Sequence, residues 1–305
     1  MKVVFDTDPG IDDAMALLYL HACPSLQLLG ITTVLGNASI DQCTINACVL
    51  CDRFGIDSPV YRGAGAALDG TVGDYPDFVH GTNGLGDVPL DPPRTQPGDR
   101  PASQYLCEIA REHPGEITVL AVGRLTNLAL AIEQDDSFAR NIAGLVIMGG
   151  AVEEPGNVTE WAEANIIGDP EAASIVFRSG IPVTLVGLDV TIKTRLSPAY
   201  LTELTAPLGE LGQFLQDINR CYASYNLERY GSPAFPVHDS SAVGCADQPG
   251  LFHMKRGTLS CVLDGEQRGR TLFTEGDGPH KVCTRVNSGA LLNRYREVVL
   301  AHYSA

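Results

Sequence analysis

Short apolar runs alternate along the chain with longer segments whose apolar positions recur at helical spacing. Residues 2–8, 26–36, 117–123, 144–150 and 181–190 are apolar almost throughout, not at every second position. That pattern predicts strands of a parallel sheet covered on both faces. Between them, residues 11–22, 40–54, 102–112, 125–133 and 170–179 predict helices. The βαβα order argues for an α/β fold, an open and mostly parallel (Rossmann-like) sheet with helices on both faces. Residues 258–264 and 270–274 predict a small additional β element near the C-terminal third, one that could pair antiparallel, and residues 289–302 a final helix. Residues 197–230 read as helical, with Tyr222, Tyr225 and Tyr230 near the end, and 63–100 as the one long irregular stretch. Loops of that length are usually functional or mobile. No repeat or linker tract divides the chain, so residues 1–305 are expected to form a single domain.

Charge narrows the partners. Lys plus Arg number 21 against 37 Asp plus Glu, a formal net charge of −16. Such a surface repels polyanions, which excludes nucleic acid and anionic membrane as expected partners and leaves small neutral or cationic molecules. The first residues run straight into acidic positions with no apolar h-region, and no apolar run is long enough to span a bilayer. Nine cysteines are scattered from Cys23 to Cys283, with Cys48 and Cys51 the only C-x-x-C. Apolar surroundings make them buried free thiols in a reduced, cytoplasmic protein and not a zinc site.

The chemistry concentrates where the first strand ends. Asp6-Thr7-Asp8-Pro9-Gly10-Ile11-Asp12-Asp13 places four carboxylates within eight residues, beyond a strand end where open α/β sheets bind ligands. A capped helix with a solvated acidic loop accounts for Asp12 or Asp13, through the helix dipole, but not for Asp6 and Asp8 as well. Crowded carboxylates need a cation or a shared proton, and Ca²⁺ and Mg²⁺ prefer such oxygen ligands.

The stretch from Asp6 to Ala14 resembles the N-terminal signature of the inosine–uridine-preferring nucleoside hydrolase family. Further elements follow in the family's order: Gly36-Asn37, His80 to Gly86, Gly123 to Ala129, Met148-Gly149-Gly150, Gly156-Asn157, Ala162 to Asn165, Asp169 to Ala172 and His238-Asp239. The resemblance spans nearly the whole chain. It implies calcium-dependent hydrolysis of the N-glycosidic bond of ribonucleosides, in a cytoplasmic homodimer or homotetramer. The implied Ca²⁺ ligands are Asp8, Asp13, the main-chain carbonyl of Thr126, and Asp239. Asp8 is also implied as general base toward the attacking water, and His238 as the group that protonates the leaving base. Asp12, Asn37, Asn157, Glu163 and Asn165 are expected on the ribose hydroxyls, Met148 beside the nucleoside, and His80 and Tyr225 near the base. Asp6 is expected to support the ligands and Asp169 to cap the helix that starts at Pro170. An oxocarbenium-like transition state suits so acidic a pocket.

Two departures stand out: Ala164 occupies a position where relatives often carry an aromatic residue, and Ser240 follows His238-Asp239 where proline is common. The first puts base preference in doubt. Two other readings compete. A D-x-D after strand one also resembles haloacid-dehalogenase-like phosphatases, although Pro9-Gly10 does not continue their motif. A non-catalytic nucleoside- or ribose-binding module would keep the pocket without turnover.

Overall fold

The computed structural model describes residues 1–304. The strands, in chain order, are β1 (Lys2–Thr7), β2 (Gln27–Thr33), β3 (Val60–Arg62), β4 (Ile117–Ala121), β5 (Ile142–Met148), β6 (Val183–Val186), β7 (Arg195–Leu196), β8 (Phe235–Pro236), β9 (Phe252–Cys261), β10 (Thr271–Glu275) and β11 (His280–Val286). The helices of the first half are α1 (Ile11–Ala22), α2 (Ile40–Phe54), α3 (Asp77–His80), α4 (Ala102–Glu112), α5 (Thr126–Gln134) and α6 (Phe138–Asn141). Those of the second are α7 (Ala164–Gly168), α8 (Pro170–Arg178), α9 (Leu188–Thr191), α10 (Pro198–Thr205), α11 (Gly209–Tyr230), α12 (His238–Asp247) and α13 (Ser288–Tyr303).

Among the described residues, nine strands form one sheet in the order β10-β9-β11-β6-β5-β4-β1-β2-β3, and β7 pairs with β8 separately. From β11 to β3 neighbouring strands run parallel, whereas β9 is antiparallel to both β11 and β10. The expected α/β sheet is present, and the expected antiparallel pair extends it at one edge. Val3 and Phe5 of β1 belong to one apolar cluster and Val4 to the other, so alternate residues feed opposite faces. Helices α1, α11, α12 and α13 cover the first face and α4, α5 and α8 the second. No described helix is long and apolar enough to cross a membrane.

Several boundaries differ from the sequence reading. The apolar run 181–190 is not one strand: β6 ends at Val186, Gly187 interrupts it, and Leu188–Thr191 turn into α9. Buried short helices and buried strands carry the same apolar pattern, so periodicity cannot separate them. Residues 197–230 break into α10 and α11 around a short 3₁₀ turn that contains Pro207. The irregular stretch 63–100 contains the short α3, which carries His80.

Candidate active site

Strand order reverses at β1. From there the chain proceeds outward through β2 and β3 on one side and through β4, β5 and β6 on the other. Between the carboxyl ends of β1 and β4 the connections diverge, which opens a crevice suited to a ligand. Asp8 stands there. A Cβ on Gly36 would lie 1.9 Å from Asp8 Oδ2 and one on Gly123 2.6 Å from Asp8 Oδ1, so both flanking turns must be glycine for the carboxylate to fit. The backbone N–H of Asn37 donates to Asp8 Oδ2 at 2.9 Å.

The Pro9-Gly10 turn then feeds α1, whose first turn contributes Asp12 and Asp13. Asp13 is held from three sides: Thr7 Oγ1 donates to Oδ1, and the Gly10 N–H and Asn37 Nδ2 each donate to Oδ2 at 2.9 Å. Asp239 arrives from the first turn of α12. Carboxylate oxygens of Asp12, Asp13 and Asp239 lie within 4.8 Å of one another. Asp12 Oδ1 is buried with no hydrogen-bond partner among the described residues.

Burial raises Asp8 and Asp239 well above the usual carboxylate range, and their acidic neighbours push them further. Asp12 and Asp13 are raised by burial to about 6. Four neighbouring carboxyls that disfavour their own charge, three of them on buried residues, with one oxygen left unpaired, form a donor set of hard oxygens, and that set fits a hard divalent cation.

Glu163 closes the opposite wall. Its carboxylate accepts N–H bonds from Gly150 at 2.8 Å, Asn165 at 3.0 Å and Ile166 at 3.2 Å, which caps α7. Asn165 Nδ2 donates to the carbonyls of Val122 at 2.7 Å and Met148 at 3.1 Å. His80, buried, accepts the Ile11 N–H at Nδ1, 3.2 Å, and lies 4.0 Å from Asp12 Oδ1. His238 Nδ1 is 2.8 Å from Thr191 Oγ1. Burial lowers both imidazoles to about 4, so both rings are uncharged at neutral pH. Tyr225 lies on α11 with its ring 5.7 Å from that of Phe78.

Thr126 is buried beyond the end of β4. It opens α5, where helix geometry aims a carbonyl down the axis, and its hydroxyl donates to Asp169 Oδ2 at 2.7 Å. The carbonyl at the end of β4, beside Gly123, is that of Val122. Asn157 is exposed, and its Oδ1 accepts the Ala164 N–H at 3.0 Å. Asn37 spends its amide on Asp13. Asp169 caps α8 through the Ala172 N–H, and Asp6 accepts from Thr32 and Asn127 while its Oδ1 is buried without a partner among the described residues. The cysteines are unbridged, and seven of them are buried.

The sequence reading passed over three supports. Asn127 Nδ2 ties Asp6 to the Thr33 carbonyl. Asp189, buried on α9, accepts the N–H groups of Val152, Glu153 and Glu154. Thr191 reaches His238 from the same helix. Asn127 sits within the Gly123 to Ala129 motif, Asp189 is hidden inside the expected strand 181–190, and Thr191 lies just beyond it.

A family model for inosine-uridine preferring nucleoside hydrolase matches residues 3–293. The chain belongs to that family. Uridine nucleosidase 1 of Arabidopsis thaliana is 43% identical over 276 residues, covering 90% of this chain and 82% of the relative. The pyrimidine-specific ribonucleoside hydrolase RihB of Escherichia coli is 35% identical and covers 90% of this chain and 87% of its own. Among solved structures, a purine-preferring ribonucleoside hydrolase from Gardnerella vaginalis superposes with a TM-score of 0.96 at 30% identity, over 100% of this chain and 99% of that one. A plant nucleoside hydrolase, the PpNRh1 enzyme, gives 0.93 at 36% identity over 98% and 99%. Family membership makes this nucleoside hydrolase an enzyme and leaves the phosphatase and binding-module readings without support.

Proposed function

We propose that this nucleoside hydrolase cleaves the N-glycosidic bond of ribonucleosides, uridine among them, to free base and ribose, with Ca²⁺ as its resident cation. The observation that carries the reading is the meeting of Asp12, Asp13 and Asp239 at the sheet's switch point, with Asp8 close enough to feel their charge and Asp12 Oδ1 unpaired. Asp8, Asp13 and Asp239 would hold the cation, with the carbonyl of Val122 in place of that of Thr126. Bound there, a hard dication neutralises the carboxylates, gathers ribose hydroxyls and acidifies a water.

The chain's own groups do the rest. Asp8 takes a proton from the attacking water at a carboxylate oxygen, and the N–H of Asn37 holds that carboxylate in place. The surrounding negative charge favours the cationic ribosyl transition state. Asp12, Glu163 and Asn165 orient the ribose hydroxyls, while Asn37 and, at the exposed rim, Asn157 complete the polar set. Losing one hydroxyl leaves buried groups unpaired, so deoxyuridine is rejected. Met148 packs along the nucleoside, His80 and Tyr225 border the base, and His238 supports its departure. Residues 1–305 act as one domain, in a cytoplasmic homodimer or homotetramer.

Reducing-sugar release from inosine, adenosine, guanosine, uridine, cytidine and deoxyuridine tests the reading. Ribose from uridine and none from deoxyuridine is the expected result. Silence across the whole panel refutes it.

A further inference from the structure

Thr191 is fully buried on α9, and its Oγ1 lies 2.8 Å from His238 Nδ1. Among the described residues that hydroxyl has no other hydrogen-bond partner. A threonine hydroxyl brings one proton and two lone pairs, and a neutral imidazole brings one N–H and one bare nitrogen. Were the imidazole proton on Nδ1, the hydroxyl proton of Thr191 would be buried without an acceptor, the costlier arrangement. With Thr191 donating, both protons are accommodated and His238 carries its own on Nε2. That nitrogen has no protein partner, and the His238 side chain stays partly exposed.

We propose that Thr191 is a positioning residue whose hydroxyl locks the His238 ring in the Nε2–H tautomer, so that an N–H and not a lone pair meets the departing nucleobase. The assignment deepens the nucleoside hydrolase reading and rests on it. When the C1′–N bond breaks, its electron pair stays on the base and a water oxygen bonds to C1′. The Nε2–H hydrogen-bonds to the ring nitrogen or carbonyl oxygen that takes up the charge, and the proton lost by the water goes to Asp8. The base then takes its proton from solvent. A flipped ring would aim a lone pair at a developing anion. A leaving group already stable as an anion, such as 4-nitrophenolate, needs no such donor.

The test measures kcat and KM for uridine and for 4-nitrophenyl ribofuranoside with wild type, T191V, T191S, H238A and the T191V/H238A double variant. Thr191→Val should lower kcat on uridine by about ten- to a hundredfold, at or below the lower end of a full proton transfer's contribution of about 10²–10⁴ because only a hydrogen-bond donor is lost, with KM little changed. Its rate on 4-nitrophenyl ribofuranoside should stay within about twofold. Thr191→Ser should recover most of the uridine rate, and the double variant should be no slower than H238A. Equal losses on both substrates, an unchanged uridine kcat, failure of the serine variant to rescue, or a further loss in the H238A background would each overturn the assignment. A wild type that releases ribose from no nucleoside is a separate failure, one of the functional reading, and shows before any variant is made.

Discussion

Replacing Asp239 by Asn removes one carboxylate from the cluster and should change stability with opposite signs in the absence and presence of cation. Oxygens of Asp12, Asp13 and Asp239 lie within 4.8 Å of one another. Two full charges at that distance repel by about 3.5 kcal/mol at an effective dielectric of about 20. Proton uptake limits the strain. Burial raises Asp12 and Asp13 to about 6, and burial and its acidic neighbours raise Asp239 as well, so a shared proton removes part of that repulsion. Relief in the cation-free variant is therefore about 1–3 kcal/mol, or about 2–6 °C in Tm for a chain of this size. No described side chain loses a hydrogen bond, because Asp239 makes none through its carboxylate. With Ca²⁺ at a thousandfold excess over the wild-type Kd, the wild type gains about 4.1 kcal/mol, more than the relief, while a variant lacking one ligand binds too weakly to gain as much. Scanning calorimetry at pH 8, in chelator and in Ca²⁺, should show Asp239→Asn melting above wild type in the first buffer and below it in the second. A variant that melts lower by the same amount in both would refute the reasoning, since it would mean Asp239 serves packing and not a repelling, cation-binding cluster.

Asp8→Asn keeps the shape but not the basicity and should cut kcat on uridine by about 10²–10⁴-fold, a loss that steady-state ribose release would reveal; a rate within threefold of wild type contradicts the base assignment. Gly36→Ala would drive a methyl into Asp8 Oδ2, so activity should fall by more than tenfold while the melting temperature drops only a few degrees, read by parallel kinetics and calorimetry. Far from the site, burial would raise Asp247, but hydrogen bonds from Arg294 and Ser25 overcome it and hold the carboxyl at about 2. A depressed folded-state value adds stability that is present above the unfolded value of about 3.8 and is lost as pH falls toward 2. Arg294→Leu should therefore cost about 2–3 kcal/mol at pH 7 and about half that near pH 3, and urea titrations at both pH values would expose a difference that does not shrink.

What the sequence disclosed and what it hid follow physical lines. The strand, Pro9-Gly10 turn and helix that carry Asp8 and Asp13 were readable because each is local: an apolar run, a turn dipeptide, acidic residues in a first helical turn. The continuous apolar character of β1, β4 and β5 announced a parallel sheet covered on both sides. Three-residue β3 carries too little pattern to be seen, and β11 alternates only partly because it sits near the sheet's edge. Helix α9 was hidden since Leu188 and Val190 are as buried as strand residues. The motif around Thr126 is legible, but where β4 stops and α5 begins, and so which way each carbonyl of the connection points, is a question of backbone direction that residue types do not answer. Nor could spacing show that Asn157 and Asn37 hold N–H and carboxylate partners of their own.

The central claim is that one hard cation, seated by Asp8, Asp13 and Asp239, is required for turnover. Elemental analysis of freshly purified, active enzyme measures it most directly, set beside ribose release from the same samples before and after chelation. The account predicts about one calcium per chain in the wild type, loss of ion and activity together on chelation, and their return together when Ca²⁺ is restored. Full activity in protein stripped of every divalent ion would contradict it.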